Sequence, residues 1–280
     1  DILGILTQYD NPWSSDIVSG CTYSDYLEYN PIANDDDGSC MLLSVPGCTD
    51  PDYYEYNEAA NEDDGSCLVI ICPATINHAN YDYSLVHIGD QCWFSENCRY
   101  LPVVSPSNEG SDTDPYYYVY DYQGDDVEAA KATSNYETYG VLYNWPAVMT
   151  DDICPSGWHI PTEPEWQTLE MELGMSVQEV LSTEWRGTDQ GSQLKSTAGW
   201  ENCGNGSNSS GFNGLPGGFR YTGGFNVGGS YIYLWSSSES GSSAWVRLLG
   251  DDYDQVYRYD GGTDADDNLH LGFSVRCVQD

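Results

Sequence analysis

The stretch Gly20–Cys40, GCTYSDYLEYNPIANDDDGSC, returns 27 residues later as Gly47–Cys67, GCTDPDYYEYNEAANEDDGSC. Both copies carry two cysteines 19 positions apart, in the same register. Because each copy repeats its own cysteine pair, we predict two small modules closed by the disulfides Cys21–Cys40 and Cys48–Cys67. Closing a loop of this length stabilises the folded state by about 3 kcal/mol in the chain-entropy account.

Each copy ends in an acidic loop that bends at a glycine. Side-chain oxygens crowded on such a turn suit Ca²⁺, which takes six to eight oxygen ligands. The acids do not follow the EF-hand spacing. We therefore expect a different kind of calcium site in each loop, with these ligands: Asn34, Asp35, Asp36 and Asp37 in the first copy, and Asn61, Asp63 and Asp64 in the second. The alternative is a plain turn, because Asn and Asp before Gly form turns without a metal.

The charge of the chain is strongly negative. The 280 residues include 45 acidic and eight basic side chains, which gives a net charge of −37. No Lys or Arg occurs before Arg99. Such a surface repels nucleic acid and anionic lipid and attracts cations, so we expect no nucleic-acid partner. Aromatic residues make up 14% of the chain, enough to build a core.

Ten cysteines without a Cys-x-x-Cys pair predict five disulfides and an oxidising compartment. The chain lacks an initiator Met and a signal-peptide pattern, and no apolar run approaches the ~20 residues that span a bilayer. We expect an extracellular or cell-surface protein without a membrane span, exported with its signal peptide already removed.

The order of these features predicts four segments. Residues 1–19 are an N-terminal arm, 20–46 the first repeat, 47–71 the second repeat, and 72–280 a larger domain. The arm begins with four apolar side chains that have no amphipathic partner nearby: Ile2, Leu3, Ile5 and Leu6. Burying them is worth roughly 6 to 12 kcal/mol at about 1.5 to 3 kcal/mol each. We expect the arm to dock on a neighbouring copy and form a homo-oligomer or filament; the alternative is that it folds back on its own domain.

The larger domain is predicted to have an α+β fold with much irregular loop. Thr162 with Glu165, and Ser176 with Glu179, are capping boxes that predict two helices. Alternating or aromatic-rich runs predict strands, with Gly, Ser and Asn clusters between them. The predicted strands are Tyr81–Ile88, Gln91–Ser95, Tyr231–Ser236, Ala244–Leu249 and Leu271–Val278.

Seven sequence motifs of the larger domain are specific enough to indicate a family. In order, they are HIGDQCWFSEN (87–97), YGVLYNW (139–145), CPSGWHIP (154–161), LKSTAGW (194–200), GFNGLPGG (211–218), LWSSSE (234–239) and GFSVRC (272–277). Together they resemble the Fibrobacter-type major paralogous domain, an exported bacterial family with no established reaction, across about residues 72–280. The repeats resemble short GCTD…DDGSC modules of secreted and surface proteins.

The family is similar to the C-type-lectin-like superfamily, so the resemblance implies a lectin-like fold whose terminal strands pair. It also implies a Cys154–Cys277 bridge between two motifs, and it favours Cys72 with Cys92. Cys98 replaces an expected Leu, and Cys203 lies in a variable loop, so these two are expected to bridge each other. Large motif tryptophans are expected in the core: Trp145, Trp158, Trp166, Trp200 and Trp235.

The sequence contains no recognisable catalytic constellation. The four histidines, at 78, 87, 159 and 270, do not approach metal-ligand spacing, and an all-disulfide map leaves no thiol pair. We therefore expect no enzyme. A second, weaker calcium site is predicted in the loop between two late strands, from Asp251, Asp252, Asp254, Asp264 and Asp266.

Two functions follow from these patterns. The first is a non-enzymatic extracellular structural or adhesive protein, a filament subunit with calcium-stabilised repeats. The alternative is a calcium-dependent carbohydrate-binding module, which would present exposed aromatic side chains beside a cation site in the loops 204–230 or 251–268 to bind glycans.

Overall fold

The two Cys repeats adopt the same local structure. In this computed structural model, which describes residues 17–51, 53–67, 71–260 and 268–280, strand β1 (Ser19–Gly20) pairs in parallel with β2 (Asp35–Asp36). In the second repeat, β3 (Pro46–Gly47) pairs in the same way with β4 (Glu62–Asp63). The arm residues Ile2, Leu3, Ile5 and Leu6, and the loop residues Asp264 and Asp266, lie outside the described residues.

An asparagine side chain and a disulfide close each repeat. Asn34 Oδ1 accepts a hydrogen bond from the backbone N–H of Val18 at 2.9 Å, and Asn61 Oδ1 accepts one from Val45 at 2.8 Å. The disulfides Cys21–Cys40 and Cys48–Cys67 are both formed, with Cα atoms 4.9 and 4.8 Å apart. The repeated sequence therefore folds as a repeated module.

The chain divides into two compact units, Asp1–Ile71 and Cys72–Asp280. The second unit mixes short helices with many strands. Its strands are β5 (Thr75–His78), β6 (Tyr81–Ile88), β7 (Gln91–Phe94), β8 (Tyr117–Tyr118), β9 (Leu142–Tyr143), β10 (Trp158–His159), β11 (Glu184–Arg186), β12 (Phe219–Tyr221), β13 (Gly224–Asn226), β14 (Tyr231–Ser240), β15 (Ser243–Gly250), β16 (Val256–Tyr259) and β17 (Val278–Gln279). Its helices are α1 (Val127–Lys131), α2 (Ser134–Tyr139), α3 (Trp145–Val148), α4 (Glu163–Glu172), α5 (Val177–Leu181) and α6 (Gln190–Leu194).

Two larger sheets organise this unit. The first has the order β10-β17-β7-β6-β5, so the C-terminal strand lies between β10 and a strand from the start of the unit. Val278 pairs with Trp93 across that contact. The second has the order β11-β16-β15-β14 and is antiparallel throughout. Two small antiparallel pairs, β8 with β9 and β12 with β13, complete the strands of this unit.

The predicted long elements are confirmed, with one correction to a strand. Strand β6 has the predicted bounds, and the capping boxes of Thr162 and Ser176 begin α4 and α5. The segment 271–278 was predicted as a strand, yet it makes single bridges to three different elements before β17 begins. In α5 only Val180 is buried, whereas Val177 and Leu181 are 65% and 58% exposed.

Four further helices were not predicted from the sequence. They are α1, α2, α3 and α6, each of four to six residues. Segments this short cannot display a helical repeat of apolar residues. Side-chain caps hold three of them, because Asp126, Thr133 and Asn144 accept hydrogen bonds from backbone N–H groups of the first turn.

Aromatic side chains fill the core of the larger unit. Trp145, Trp166, Trp200 and Trp235 are all buried, and Trp235 donates its indole N–H to the carbonyl of Tyr143 at 2.7 Å. Trp158 is half-buried and stands at the edge of the core. The motif tryptophans therefore act mainly in packing. Among the described residues no helix is both long enough and apolar enough to cross a bilayer.

Candidate functional sites

The acidic loops of the repeats are held by hydrogen bonds to the backbone. Asp36 and Asp37 each accept one from the N–H two residues ahead, at 3.2 and 3.0 Å. Asp63 and Asp64 do the same at 3.0 Å each. Hydrogen bonds from Ser39 also keep the pKa of Asp37 below its ordinary value. These contacts are those of the Asx turn that the sequence offered as the alternative to calcium.

The carboxylates of each loop do not by themselves bring three oxygen ligands together for a metal ion. Across residues 17–51, 53–67, 71–260 and 268–280, the only group of three acidic, His or Cys ligand atoms within 4.8 Å of one another consists of cysteines. The Asn34 and Asn61 oxygens are engaged by Val18 and Val45. An ion in these loops would therefore draw additional ligands from backbone carbonyls and water, and calcium there stays a prediction.

A lysine binds backbone carbonyls at the start of the second predicted calcium loop. Lys195 Nζ donates to the carbonyl oxygens of Gly250 and Tyr253 at 3.0 and 2.8 Å. Burial lowers the pKa of this lysine, and the nearby carboxylates of the loop oppose that effect. Asp251 is buried and accepts a hydrogen bond from Asn202 Nδ2 at 2.7 Å, while Asp252 is exposed. The described start of this loop, residues 250–253, is thus held by a side-chain cation.

One face of the four-stranded sheet carries a row of large side chains. Trp185, Tyr257, Leu248 and Tyr233 are directly opposite one another on β11, β16, β15 and β14, so they point to the same side. Tyr253 stacks on Trp185 with ring centroids 3.7 Å apart. We call this row of four with Tyr253 the aromatic face. A cavity of about 340 Å³ lies beside it, between β14, β15 and β16.

Exposed apolar side chains are concentrated on the repeats. Among the described residues, seventeen large hydrophobic side chains are exposed, and eleven of them lie between residues 17 and 71. The second unit has about four times as many described residues and carries six. We call the eleven the repeat apolar set: Ile17, Tyr23, Leu27, Tyr29, Ile32, Met41, Leu42, Leu43, Tyr54, Tyr56 and Ile71.

The positive charges lie almost entirely inside the protein. All eight basic residues fall in the described part of the chain, and seven of them are buried. Lys131 is the exception, with 38% of its side chain exposed. The surface is therefore nearly free of basic side chains, although it carries most of the 45 acids.

Three of the buried arginines meet two buried glutamates between α4 and the four-stranded sheet. Arg247 binds Glu163 through two hydrogen bonds of 2.8 Å and Glu170 through two, of 2.6 and 3.4 Å. Arg186 binds both oxygens of Glu170 at 2.8 and 2.9 Å, and Arg258 binds Glu163 at 2.6 Å. We call these five residues the buried ion network. Burial would raise the pKa of Glu163, but the arginines hold it below its ordinary value.

A histidine joins the start of α4 to the C-terminal strand region. His159 Nε2 lies 2.8 Å from Glu165 Oε1, and its Nδ1 lies 2.6 Å from Asp280 Oδ1. The hydrogen bond with Glu165, together with that to Asp280, raises the pKa of His159 to about 9 against the opposing effect of burial. The ring is therefore protonated at neutral pH and bridges two carboxylates.

The cysteines correct one prediction. Cys72–Cys92 and Cys154–Cys277 are bonded, with Cα distances of 5.3 and 5.8 Å. Cys98 and Cys203 are both free, so the expected fifth bridge is wrong. Cys98 is completely buried, with its Sγ 3.3 Å from Cys277 Sγ, whereas Cys203 is exposed on a surface loop.

Sequence reasoning missed the buried ion network and the contact between Cys98 and Cys277. Glu163 and Glu170 are seven residues apart and therefore lie on one face of α4, the face that also buries Trp166. The sequence signal for the network was the presence of two acidic residues on the apolar face of a predicted helix. For Cys98 the only signal was a cysteine at a position where the resembled family has leucine.

Comparison with known proteins gives one match. Residues 86–279 match the family described as the Fibrobacter succinogenes major domain. No curated protein and no solved structure matches the chain.

Proposed function

The chain belongs to the Fibrobacter succinogenes major domain family, and we propose that it is a non-enzymatic structural or adhesive protein outside the cell, a subunit of a surface or secreted filament. The observation that carries this proposal is the concentration of exposed apolar side chains on the repeats. Exposed apolar side chains that gather on one part of a protein are typical of sites where it meets a partner.

The charge distribution supports a second copy of the chain as that partner. It also supports apolar side chains, and not ion pairs, as the contact between the copies. With Lys131 as the exposed base, the surface has almost no positive charge to complement the acids of another copy. Copies therefore repel one another at long range and can associate only where apolar burial outweighs this repulsion. The repeat apolar set and the four apolar residues of the arm are the segments suited to that contact.

Calcium fits this proposal as a stabiliser of the repeats. The acidic loops at residues 34–37 and 61–64 are closed by Asx hydrogen bonds, and their remaining carboxylate oxygens can neutralise a bound cation. We propose that calcium binds there and reduces the repulsion between copies. Four disulfides support a location in an oxidising compartment outside the cell.

We also assign the larger unit to the C-type-lectin-like superfamily. The placement of β17 between β10 and β7 supports this assignment, because it pairs the end of the unit with its beginning. The Cys154–Cys277 bridge, which spans 123 positions, supports it as well.

Removal of the arm tests the proposal. We expect a chain lacking Asp1–Gln8 to fold, because the arm contains none of the cysteines, and to remain monomeric under conditions where the full chain forms filaments visible by negative-stain microscopy. Filaments of normal length and number from the shortened chain would count against assembly through the arm.

The aromatic face favours a second candidate function, binding of carbohydrate. Trp185 and Tyr253 form a stacked pair beside the exposed carboxylates of Asp252 and Asp254. Aromatic rings pack against the C–H faces of sugars, and carboxylates accept hydrogen bonds from hydroxyl groups. Glycan-array binding that is lost in Trp185→Ala and kept in Tyr221→Ala, an exposed tyrosine on β12, would support this function. Loss of that binding in a calcium chelator would support its calcium-dependent form.

A further inference from the structure

A free thiol lies against a disulfide inside the larger unit. Cys98 Sγ is 3.3 Å from Cys277 Sγ, and Cys277 is bonded to Cys154. The three sulfur atoms all lie within 4.8 Å of one another. Cys98 is held at this place by its backbone, since its N–H donates to the carbonyl of Val275 at 2.9 Å. The backbone of the fold therefore places Cys98 beside this disulfide.

The third sulfur of this group is close to the surface. Cys154 is 8% exposed and borders two cavities, of about 230 and 650 Å³, that both open beside Trp158. Cys98 and Cys277 are completely buried. The bond between Cys154 and Cys277 thus joins a residue that borders the cavities to one that is completely buried.

We propose that Cys98, Cys154 and Cys277 form a thiol–disulfide exchange site in which Cys98 displaces Cys154 and presents it as a reactive thiol at the cavities. The site is distinct from the proposed filament contact and does not depend on it. Thiol-reactive electrophiles and disulfides small enough to enter the cavities are the chemical class that this thiol would take.

The exchange balances without an external oxidant or reductant. Cys98 loses its proton and its sulfur forms a bond to Cys277 Sγ. The bond between Cys277 and Cys154 breaks, and its electron pair leaves with the Cys154 sulfur, which takes up a proton. One disulfide and one thiol are present before and after the step.

The environment of Cys98 makes this step slow at neutral pH. Burial raises the pKa of Cys98 to about 12; Arg276 and Arg99 oppose this effect and Glu96 adds to it. The attacking species is the thiolate, so only a small fraction reacts at any time. Displacement requires the three sulfurs to lie nearly in a line. With a contact of 3.3 Å and an ordinary S–S bond of about 2.05 Å, such a line would place the outer sulfurs more than 4.8 Å apart, so the Cys98 side chain must turn before it attacks.

Differential labelling of the folded protein tests the proposal. All measurements use Cys203→Ser, because the exposed thiol of Cys203 could otherwise attack the disulfide of another molecule. The protein is incubated natively with N-ethylmaleimide for a day at mildly alkaline pH, quenched in acid and digested with pepsin at low pH. Mass spectrometry should find label accumulating on Cys154 together with a Cys98–Cys277 peptide in equal amount.

Two results of this experiment would overturn the proposal. One is a Cys154–Cys277 peptide that does not decrease, with label absent from Cys154, under conditions that fully label Cys203 in the unmodified chain. The other is label on Cys277 with a Cys98–Cys154 peptide, which would mean that Cys98 attacks the other sulfur.

Two further variants separate exchange from simple opening of the disulfide. With Cys98→Ser, Cys154 should stay unlabelled; label on Cys154 there would show that Cys98 is not the attacking group and would overturn the proposal. With Cys154→Ser, refolding of the unfolded chain in glutathione disulfide, which then reaches every thiol, should join Cys98 to Cys277. Retention of two free thiols in that variant would show that these sulfurs cannot bond, again overturning the proposal.

Discussion

Glu163 Oε1 lies 2.8 Å from Nη2 of Arg247, between α4 and the four-stranded sheet, and both side chains are buried. The second oxygen of Glu163 binds the other terminal nitrogen of Arg247 at the same distance. The pair belongs to a network in which three guanidinium groups surround two carboxylates, so each buried charge has an opposite charge in contact. Helix α4 is therefore attached to three strands of the sheet.

Glu170→Gln tests the contribution of this network to stability. The substitution leaves Arg186 and part of Arg247 without a compensating carboxylate in the interior, which costs about 3–5 kcal/mol. We expect the free energy of unfolding, measured by urea denaturation, to fall by that amount. Glu172→Gln, on the exposed side of the same helix, is the control and should change it by less than about 0.5 kcal/mol. Equal effects of the two substitutions would contradict the account.

The bridge formed by His159 predicts a dependence of stability on pH. Its pKa is about 9 in the folded protein and about 6.5 in the unfolded chain, so the folded state binds the proton more tightly. The contribution of this group is full below about pH 6.5 and is lost as the pH rises through about 9. The difference in unfolding free energy between the natural protein and His159→Gln should shrink over that range. His87→Gln, an exposed histidine on β6, serves as the control, and a constant difference for His159→Gln would refute the prediction.

Calcium should protect the repeats from proteolysis. An ion that binds only the folded loops stabilises them by mass action, so millimolar calcium should raise the melting temperature and slow cleavage between residues 17 and 67. Replacing Asp36 and Asp63 by Asn should weaken this effect. Cleavage that proceeds at the same rate with calcium and with EDTA would rule out calcium in these loops.

Association of copies should become stronger as salt concentration increases. Because the surface has almost no basic side chains, interactions between copies are repulsive at long range, and salt screens that repulsion. Sedimentation velocity should show larger assemblies in high NaCl than in low NaCl. Dissociation by added salt would mean that opposite charges hold the copies together, contrary to this account.

Local sequence signals predicted the elements that depend on local interactions. The repeated cysteine spacing gave the intra-repeat disulfides, and the capping boxes gave α4 and α5, because these contacts join residues fewer than about twenty positions apart. The short helices escaped prediction since their stability comes from caps and from packing against distant segments.

Contacts between distant residues were not visible in the sequence. Arg247 and Arg258 reach Glu163 across 84 and 95 positions, and Cys98 meets Cys277 across 179. A chain with 45 acids offers many candidate partners for each arginine, so charge alone could not select them. The same abundance led to the second calcium prediction, in a loop whose first carbonyls bind Lys195, and calcium there stays a prediction.

The most direct test of the central claim compares two sets of exposed apolar side chains. One variant replaces Met41, Leu42 and Leu43 in the first repeat by Asn; the control replaces the equally exposed Met149, Val177 and Leu181 of the larger unit by Asn. Sedimentation velocity and negative-stain microscopy of both full-length variants measure assembly. The account predicts that the repeat variant stays monomeric while the control assembles like the natural protein. Normal assembly of the repeat variant, or equal loss in both, would contradict it.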